Sequence, residues 1–256
     1  MWQWMAHAIT VGNLFCGFLS IVMAFNGDGR SAAWLIVAAA LLDAFDGKIA
    51  RYARNDSAFG LQFDSLADLV SFGVAPGILI YLLAFREHGL AGILVSFVPV
   101  VFAAIRLARF NLQGVSEAHE FEGLSSPLQA CLLASFAILN LSLWGEIRWN
   151  ALLTSFVVLL GLLMVSRLPL PSLPRISLRE PGYNFTKLIV LMGCVGLVAV
   201  NPPRHIFPVL TMLVVTAFIV GAVRAAHHED MELDEMGLDE EDTATAEGNA
   251  RVSGGA

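Results

Sequence analysis

Long apolar stretches separated by short polar connections dominate this chain of 256 residues. Hydrophobic residues make up 57% of the sequence and charged residues only 14%, whereas soluble domains contain about 25% charged residues. A chain this apolar is expected to lie in a bilayer, where only helices or a closed barrel satisfy the backbone polar groups. Continuous apolar stretches, rather than short alternating segments, favour helices. We therefore predict an all-α, polytopic integral membrane protein.

Each apolar stretch is assigned to one membrane-spanning helix, because a hydrocarbon core of about 30 Å needs roughly 20 residues. Charged residues and Pro/Gly breaks separate eight candidate spans, at about residues 9–25, 32–52, 63–84, 90–109, 127–144, 149–166, 185–200 and 206–224. With the N-terminus in the cytoplasm, ten basic residues fall on the cytoplasmic side and four on the outer side. This asymmetry follows the positive-inside rule. We predict that both termini are cytoplasmic, in a prokaryotic inner membrane.

The C-terminal residues 227–256 differ in composition from the rest of the chain. They contain ten acidic residues and one basic residue, Arg251, so the net charge of −7 belongs to this tail. A strongly acidic segment without aromatic residues is predicted to be disordered. We therefore divide the chain into a membrane-embedded domain, residues 1–226, and an acidic cytoplasmic tail, residues 227–256. The proline-rich residues 166–184 are predicted to form an extended cytoplasmic loop.

Four aspartates lie inside or at the ends of apolar segments. Asp43 and Asp46 are three residues apart, and Asp64 and Asp68 are four apart, so each pair shares one face of a helix. The 17 residues between Asp46 and Asp64 are expected to turn the chain back, so that the two pairs meet at the cytoplasmic face. Four carboxylates so close together need cations to balance their charge. Oxygen ligands without His or Cys indicate Mg²⁺ or Mn²⁺, and two such ions can bind a phosphoryl group.

Small residues and one cation accompany the aspartates. Gly47 and Gly60 leave room for a ligand to approach the backbone. Ala50 has a small side chain and does not block the same helix face. Arg51 can bind a phosphate or a carboxylate through two hydrogen bonds. Two readings follow from these residues: an enzyme acting on a phosphorylated substrate, or a cation or proton transporter that uses intramembrane acids.

The spacing of these residues resembles that of the CDP-alcohol phosphotransferases, integral membrane enzymes of phospholipid synthesis. Their pattern is D-x2-D-G-x2-A-R-x8-G-x3-D-x3-D. This chain matches every fixed position, namely Asp43, Asp46, Gly47, Ala50, Arg51, Gly60, Asp64 and Asp68. Flanking segments resemble the membrane-type phosphatidylserine synthases within that family. They are the segments Thr10–Gly17, Asp64–Pro76, Arg106–Asn111 and Phe121–Pro127, the last with Ser125 where proline is expected.

The resemblance implies a role for each matching residue. Asp43, Asp46 and Asp64 would be metal ligands, and Asp68 would be a general base that also contacts a metal. The CDP-lipid would be bound by Asn13, Gly47, Ala50, Arg51 and Gly60. The family core has six spans and commonly dimerises, so a homodimer with two additional C-terminal helices is expected. The implied substrates are CDP-diacylglycerol and L-serine in a membrane, and no nucleic acid is expected to bind.

The serine carboxylate would need a cation beyond those that hold the pyrophosphate. Arg106 and Arg109, at the cytoplasmic end of the fourth span, are the candidates, with Asn111 as a polar neighbour. Basic residues also anchor helix ends at this side of the membrane, which is the alternative role for both arginines. The acceptor itself stays open, because glycerol phosphate, inositol or inositol phosphate would use the same chemistry. The lipid could also be an archaeal ether CDP-lipid.

Overall fold

The computed structural model describes the backbone of residues 2–53, 58–113, 123–166 and 192–221. Side chains are described within these ranges except at residues 2–6, 46–53, 58 and 113. In these ranges the regular secondary structure is entirely helical. The all-α prediction is confirmed. The predicted acidic tail and most of the predicted proline-rich loop lie outside the described residues.

Eight helices follow one another along the described chain. We number them α1 (Trp2–Phe25), α2 (Gly29–Ala53), α3 (Ala58 to Phe85), α4 (Gly89–Gln113), α5 (Ser126–Leu143), α6 (Asn150–Val165), α7 (192–200) and α8 (Pro202–Gly221). The helix α3 consists of the segments Ala58–Asp68, Leu69–Val74, Ala75–Ile80 and Tyr81–Phe85, of which the second and fourth have π-helical hydrogen bonding.

Length and apolarity identify stretches that could cross a membrane. They are His7–Phe25, Phe59–Leu112, Ser126–Leu143 and Pro202–Gly221, with the shorter apolar helix Asn150–Val165. Large apolar side chains are exposed along several of them, while polar side chains such as Asn13 and Gln129 are buried. This distribution is the reverse of that in soluble proteins and is expected where lipid surrounds the helices.

The 54-residue stretch Phe59–Leu112 is folded back on itself. The 3₁₀ turn Arg86–His88 and Gly89, with φ +56°, separate α3 from α4. A Cβ on Gly77 would lie 2.7 Å from the Ser96 carbonyl oxygen, and one on Gly73 would lie 3.4 Å from the Val100 Cα. Since the contact partner moves backward as the chain advances, α3 and α4 form an antiparallel hairpin.

The first two helices form a second antiparallel hairpin with a short turn. Gly27, with φ +84°, allows its own N–H to reach the Ala24 carbonyl and the Asp28 N–H to reach the Met23 carbonyl. These two bonds end α1 in a Schellman motif. The Asp28 carboxylate then accepts a hydrogen bond of 3.0 Å from the Ser31 N–H and caps α2. The Ser31 hydrogen bonds lower the pKa of Asp28.

Two buried clusters hold the helices together. The first contains mainly alanine from α1, α2 and α5 around Phe72 and Leu79 of α3. The second joins α3, α4, α5 and α6 through larger side chains, and α8 adds Val214. Small residues allow helices to pack closely. In a membrane this packing drives helix association, because the hydrophobic effect does not act between helices surrounded by lipid.

One end of the bundle is closed by hydrogen bonds between helix ends. The Arg30 guanidinium donates to the Leu141 carbonyl at 2.9 Å, and the Asn150 amide donates to the Ala84 carbonyl at 3.3 Å. These residues belong to the start of α2 and α6 and to the end of α3 and α5. The aspartates therefore lie toward the opposite end of the same bundle.

Two features of α3 differ from the sequence-based expectation. The residues between Asp46 and Asp64 are mostly helical, because α2 ends at Ala53, close to the predicted end of span 32–52, and α3 begins at Ala58, five residues before the predicted span 63–84. No proline interrupts this segment, so the helices extend beyond their apolar cores. The π segment Leu69–Val74 was not predicted. It precedes Pro76, which has no N–H to donate to the carbonyl four residues earlier, so the regular bonding pattern is lost.

Candidate active site

The carboxylates of three aspartates from two helices converge at one point. Asp43 lies in the second half of α2, and Asp64 and Asp68 lie on the first segment of α3. One carboxylate oxygen from each lies within 4.8 Å of the others. Asp68 is the most enclosed of the three, with 8% of its surface exposed. The expected approach of the two helices is therefore observed for these three residues, while the side chain of Asp46 lies outside the described ones.

Asn13 connects α1 to this cluster. Its Nδ2 donates a hydrogen bond of 3.0 Å to Asp68 Oδ1, and its carbonyl oxygen accepts one of 3.0 Å from Ser71 Oγ. The close approach of the two helices depends on Gly17, where a Cβ would lie 2.7 Å from the Ser71 Cα. The sequence therefore positions the Asp68 carboxylate by combining a glycine contact with a buried amide.

The donor set around the cluster fits a hard divalent cation. All three converging side chains are carboxylates, which suit Mg²⁺ or Mn²⁺. Asn13 Oδ1 is buried and has no hydrogen-bond partner within the described part of the chain, so it can accept a bond from a ligand. Three clustered acids without a cation would repel one another strongly in a partly dehydrated site. The role of each acid as a metal ligand stays a prediction.

Arg106 of α4 lies on the same level of the bundle as the aspartate cluster, that is, at the same height along the helix axes. Its guanidinium interacts electrostatically with Asp68 and Asp43. Its Nη1 donates a hydrogen bond of 3.4 Å to Ser126 Oγ, at the start of α5. Its Nε is buried and unpaired among the described residues. A cation with unused donors beside a cluster of carboxylates can bind an anionic group of a substrate.

The other two residues proposed for serine binding make different contacts. Arg109 Nη1 donates to the Val165 carbonyl at 3.2 Å, which fixes the end of α6. Asn111 accepts a hydrogen bond of 3.1 Å from Ser65 Oγ and donates one of 3.4 Å to Gln62 Oε1. Ser65, Gln62 and Asn111 line an open groove of about 420 Å³ between α3 and α4. Among the hydrogen bonds between described residues, Arg106 thus reaches the start of α5, while Arg109 and Asn111 bond to α6 and α3.

The remaining residues proposed for CDP-lipid binding lie close to the cluster along the chain. Gly47, Ala50 and Arg51 belong to the last turns of α2, and their side chains lie outside the described part. Gly60 lies on α3, one turn before Asp64. Their contact with a nucleotide therefore stays a prediction.

Two buried polar residues of α5 were not predicted as site residues. Ser126 contacts Arg106, and Gln129 is three residues further along the same helix. Both are fully buried. A polar pair at i and i+3 inside an apolar span would have been a signal for them, because polar side chains are costly in a membrane.

Comparison with known sequences agrees with this geometry. The sequence model of the CDP-alcohol phosphatidyltransferase family matches residues 3–168, which include every helix that contributes to the cluster. The chain belongs to the CDP-alcohol phosphatidyltransferase family. It is therefore an enzyme of phospholipid biosynthesis, and all eight fixed positions of the sequence pattern fall within the matched region.

Individual members of the CDP-alcohol phosphatidyltransferase family are similar over most of the chain. A CDP-diacylglycerol–serine O-phosphatidyltransferase of Helicobacter pylori is 37% identical over 198 residues, which cover 77% of this chain and 81% of that protein. One from Mycobacterium bovis is 32% identical over 208 residues, covering 78% and 72%. An archaetidylserine synthase of Methanothermobacter thermautotrophicus is 35% identical over 162 residues, covering 62% and 66%.

Proposed function

We propose that this enzyme transfers the phosphatidyl group of CDP-diacylglycerol to the hydroxyl of L-serine, giving phosphatidylserine and CMP. The observation that carries this proposal is the convergence of three carboxylates beside Arg106, in a chain whose relatives are named as serine transferases. The carboxylates suit a cation-bound pyrophosphate, and the additional arginine suits a carboxylate-bearing acceptor.

The metal site that we propose consists of Asp43, Asp46, Asp64 and Asp68, holding two Mg²⁺ or Mn²⁺ ions. The convergence of three of these carboxylates within 4.8 Å supports it. Bound divalent ions would neutralise the pyrophosphate and make its phosphorus more electrophilic. Asn13, Gly47, Ala50, Arg51 and Gly60 would bind the CDP portion of the lipid.

Asp68 is proposed as the general base of the reaction. Its carboxylate takes the proton of the serine hydroxyl while the serine oxygen forms a bond to the β-phosphorus, the phosphorus attached to diacylglycerol. The bond from this phosphorus to the oxygen that bridges it to CMP breaks, and CMP leaves with the electron pair. The Asn13 hydrogen bond holds one oxygen of Asp68 in place, and the other oxygen would take the proton. A positioned base contributes about 10²–10⁴-fold to such a rate.

Serine is favoured over the other acceptors by the limited positive charge near the cluster. Among the described side chains at this level of the bundle, Arg106 is the cation in electrostatic contact with Asp68. Glycerol phosphate or inositol phosphate would bring a dianion and call for more cations. The archaetidylserine synthase relative supports serine as well and keeps an ether CDP-lipid open as the donor. A cation or proton transporter would not explain the family match.

We further propose that the domain of residues 1–226 spans the membrane eight times, with both termini and the site at the cytoplasmic face. The four stretches that are long and apolar enough to cross a membrane, one of them folded into the α3–α4 hairpin, support a polytopic arrangement. The large apolar side chains exposed on α1, α4 and α6 would contact lipid or a second copy in a homodimer.

One assay tests the substrate assignment. The purified protein in detergent, with Mg²⁺ or Mn²⁺, is supplied with CDP-diacylglycerol and, in separate reactions, serine, glycerol phosphate, inositol and inositol phosphate, while CMP is measured. CMP release with serine alone is expected. Release with another alcohol reassigns the acceptor, and no release with any of them would falsify the enzymatic proposal.

Substitution of Asp68 tests the mechanism. Asp68→Asn removes the base but keeps the size and the polar contacts of the side chain, so turnover should fall at least about 100-fold. Binding of CDP-diacylglycerol, measured at equilibrium, should change little. A parallel loss of binding would instead make Asp68 an essential metal ligand. Asp43→Asn is the matched comparison and should weaken binding of the CDP-lipid.

A further inference from the structure

Gln129 is a fully buried polar side chain for which the protein provides no hydrogen bond. Its relative exposure is 0%, and neither Nε2 nor Oε1 has a partner within the described part of the chain. A buried amide without partners is unfavourable, and such groups in native proteins call for an explanation. A ligand bound against the amide would supply the missing bonds.

The packing of the helices shows where this amide lies. Phe72 and Ala75 of α3 share a buried cluster with Ala130 and Ala134 of α5. Arg106 contacts Ser126 at the start of α5 and interacts electrostatically with Asp68, so the first turn of α5 lies level with Asp68. Side chains on a helix lean toward its N-terminus. The Gln129 side chain therefore extends from its own turn toward the level of Ser126.

Polar groups already described lie at that level of the bundle. Ser126 and Gln129 are three residues apart and share one face of α5. Arg106 donates to Ser126 Oγ at 3.4 Å, and its buried Nε has no partner within the described ranges. The Arg106 guanidinium also interacts electrostatically with Asp68. A guanidinium, an unpaired amide, a hydroxyl and the proposed base thus lie on one level of the bundle.

These groups complement the three functional groups of a small hydroxy amino acid. A guanidinium binds a carboxylate, an amide oxygen accepts hydrogen bonds from an ammonium, and a carboxylate accepts from a hydroxyl. A phosphorylated alcohol offers hydroxyl donors but no ammonium, and its phosphate would need positive charge that a neutral amide does not supply.

We propose that Gln129 is a specificity-determining residue of the acceptor site, whose Oε1 accepts a hydrogen bond from the serine ammonium. Arg106 binds the serine carboxylate, and the hydroxyl is directed to Asp68. This inference rests on the proposed function and adds the residue that distinguishes an amino acid from a simple hydroxy acid.

The test compares Gln129→Met with wild type, using serine and 3-hydroxypropionate, which is serine without its amino group. Methionine has the same chain length and removes both polar atoms. Loss of a hydrogen bond to a charged group should raise the serine KM about tenfold or more. The KM for CDP-diacylglycerol should remain within about twofold, and the preference for serine over 3-hydroxypropionate should fall by the same factor as serine binding.

The control variant is Leu132→Met, a substitution of similar volume at another buried position of α5. It should leave both KM values unchanged. As a second measurement, serine should raise the thermal unfolding temperature of wild type and Leu132→Met, but not of Gln129→Met at the same concentration. If the methionine variant cannot be purified, Gln129→Asn is the substitute, because its side chain is one methylene shorter and its amide cannot reach as far. It should show the same selective rise in serine KM.

Each outcome separates this inference from the proposed function. If wild type releases CMP with serine but Gln129→Met keeps the wild-type serine KM, the role of Gln129 is overturned and the proposed function stands. Equal rises in the KM of both substrates also overturn it, because they indicate a structural role. CMP release by wild type only with an alcohol that lacks an amino group overturns both.

Discussion

Asn13 orients Asp68 without adding charge to a crowded acidic site. Its amide donates to Asp68 Oδ1 at 3.0 Å, while Asp43 and Asp64 contribute further negative charge close by. An aspartate at position 13 would add a further acid, and an aliphatic residue would leave Asp68 unrestrained. The amide is therefore the side chain that stabilises the base and keeps the total charge low.

The two arginines of α4 should respond differently to substitution. Arg106→Ala removes the cation beside Asp68, so the serine KM should rise about tenfold or more, while the KM for the CDP-lipid changes little. Arg109→Ala removes the hydrogen bond to the Val165 carbonyl, so the free energy of unfolding in detergent should fall by about 1 kcal/mol.

Steady-state kinetics with each substrate varied separately, together with thermal unfolding, distinguish the two roles. A selective rise of the serine KM in Arg109→Ala would assign serine binding to Arg109 as well, as the sequence suggested. Unchanged serine KM in Arg106→Ala would contradict the acceptor site proposed around Arg106.

At the scale of helices, the position of Asp68 depends on how closely α1 approaches α3. The contact between Gly17 and Ser71 leaves no room for a side chain, and the π segment Leu69–Val74 begins directly after Asp68. Within this segment the Ser71 hydroxyl donates to the Asn13 carbonyl of α1, and Phe72 packs in the cluster that includes α2 and α5. The irregular segment therefore allows α3 to contact helices on both sides next to the site.

Gly17→Ala should affect stability and activity together. The added Cβ would lie 2.7 Å from the Ser71 Cα, so the two helices must move apart at a cost of about 1–3 kcal/mol. Turnover should fall because Asn13 moves with α1. Gly12→Ala on the same helix is the control, since its Cβ would make an ordinary contact of 3.5 Å with Leu42. Thermal unfolding and CMP release measure both effects, and equal behaviour of the two variants would contradict this account.

The start of α5 accounts for the unexpected serine at position 125. Ser125 has φ −70° and ψ 146°, a conformation that proline also adopts. Gly123, with φ +76°, and the bond from the Leu124 N–H to the Leu163 carbonyl already fix this segment against α6.

Ser125→Pro should consequently be tolerated. Because proline restricts the unfolded chain, the variant is expected to be more stable than wild type by about 0.4–1 kcal/mol, with unchanged serine KM. Gly123→Ala is the contrasting substitution, since its Cβ would lie 2.7 Å from the Met164 carbonyl oxygen and φ is positive. It should lower the unfolding temperature. Destabilisation by Ser125→Pro would show that its N–H is needed.

For the whole molecule, the proposed eight spans and two cytoplasmic termini can be tested by the accessibility of introduced cysteines to a thiol reagent. Glu87 and Glu146 are exposed in the connections that should lie outside the cell. Cysteines introduced by Glu87→Cys and Glu146→Cys should react with a membrane-impermeant thiol reagent in intact cells. Cysteines from Glu117→Cys and Ser253→Cys should react only after permeabilisation.

Wild type, with its partly buried Cys16, Cys131 and Cys194, gives the background for this labelling. Labelling of the Ser253→Cys variant in intact cells would indicate an odd number of spans. Labelling of Glu117→Cys in intact cells would place the site on the outer side and contradict the proposed orientation.

Much of the fold could be predicted from sequence because a bilayer restricts the choices. Apolar runs of helical length determined the all-α class and the approximate bounds of α1 to α6, and the spacing of the aspartates placed each pair on one helix face. The start of α3 at Ala58 and its π segments could not be predicted in this way. Both depend on local hydrogen bonding, which hydropathy does not report.

By itself, the sequence determined the membrane-embedded helical class, the acidic cluster and the family, since these depend on residue type and on spacing along one helix. Only the tertiary structure decided which residues from different helices share one level of the bundle. It placed Asn13 on Asp68, Arg106 on Ser126, and Arg109 on the end of α6. The physical reason is that contacts between helices depend on their offset and rotation, which are set by close approaches such as Gly17 to Ser71 and by the clusters that pack around them.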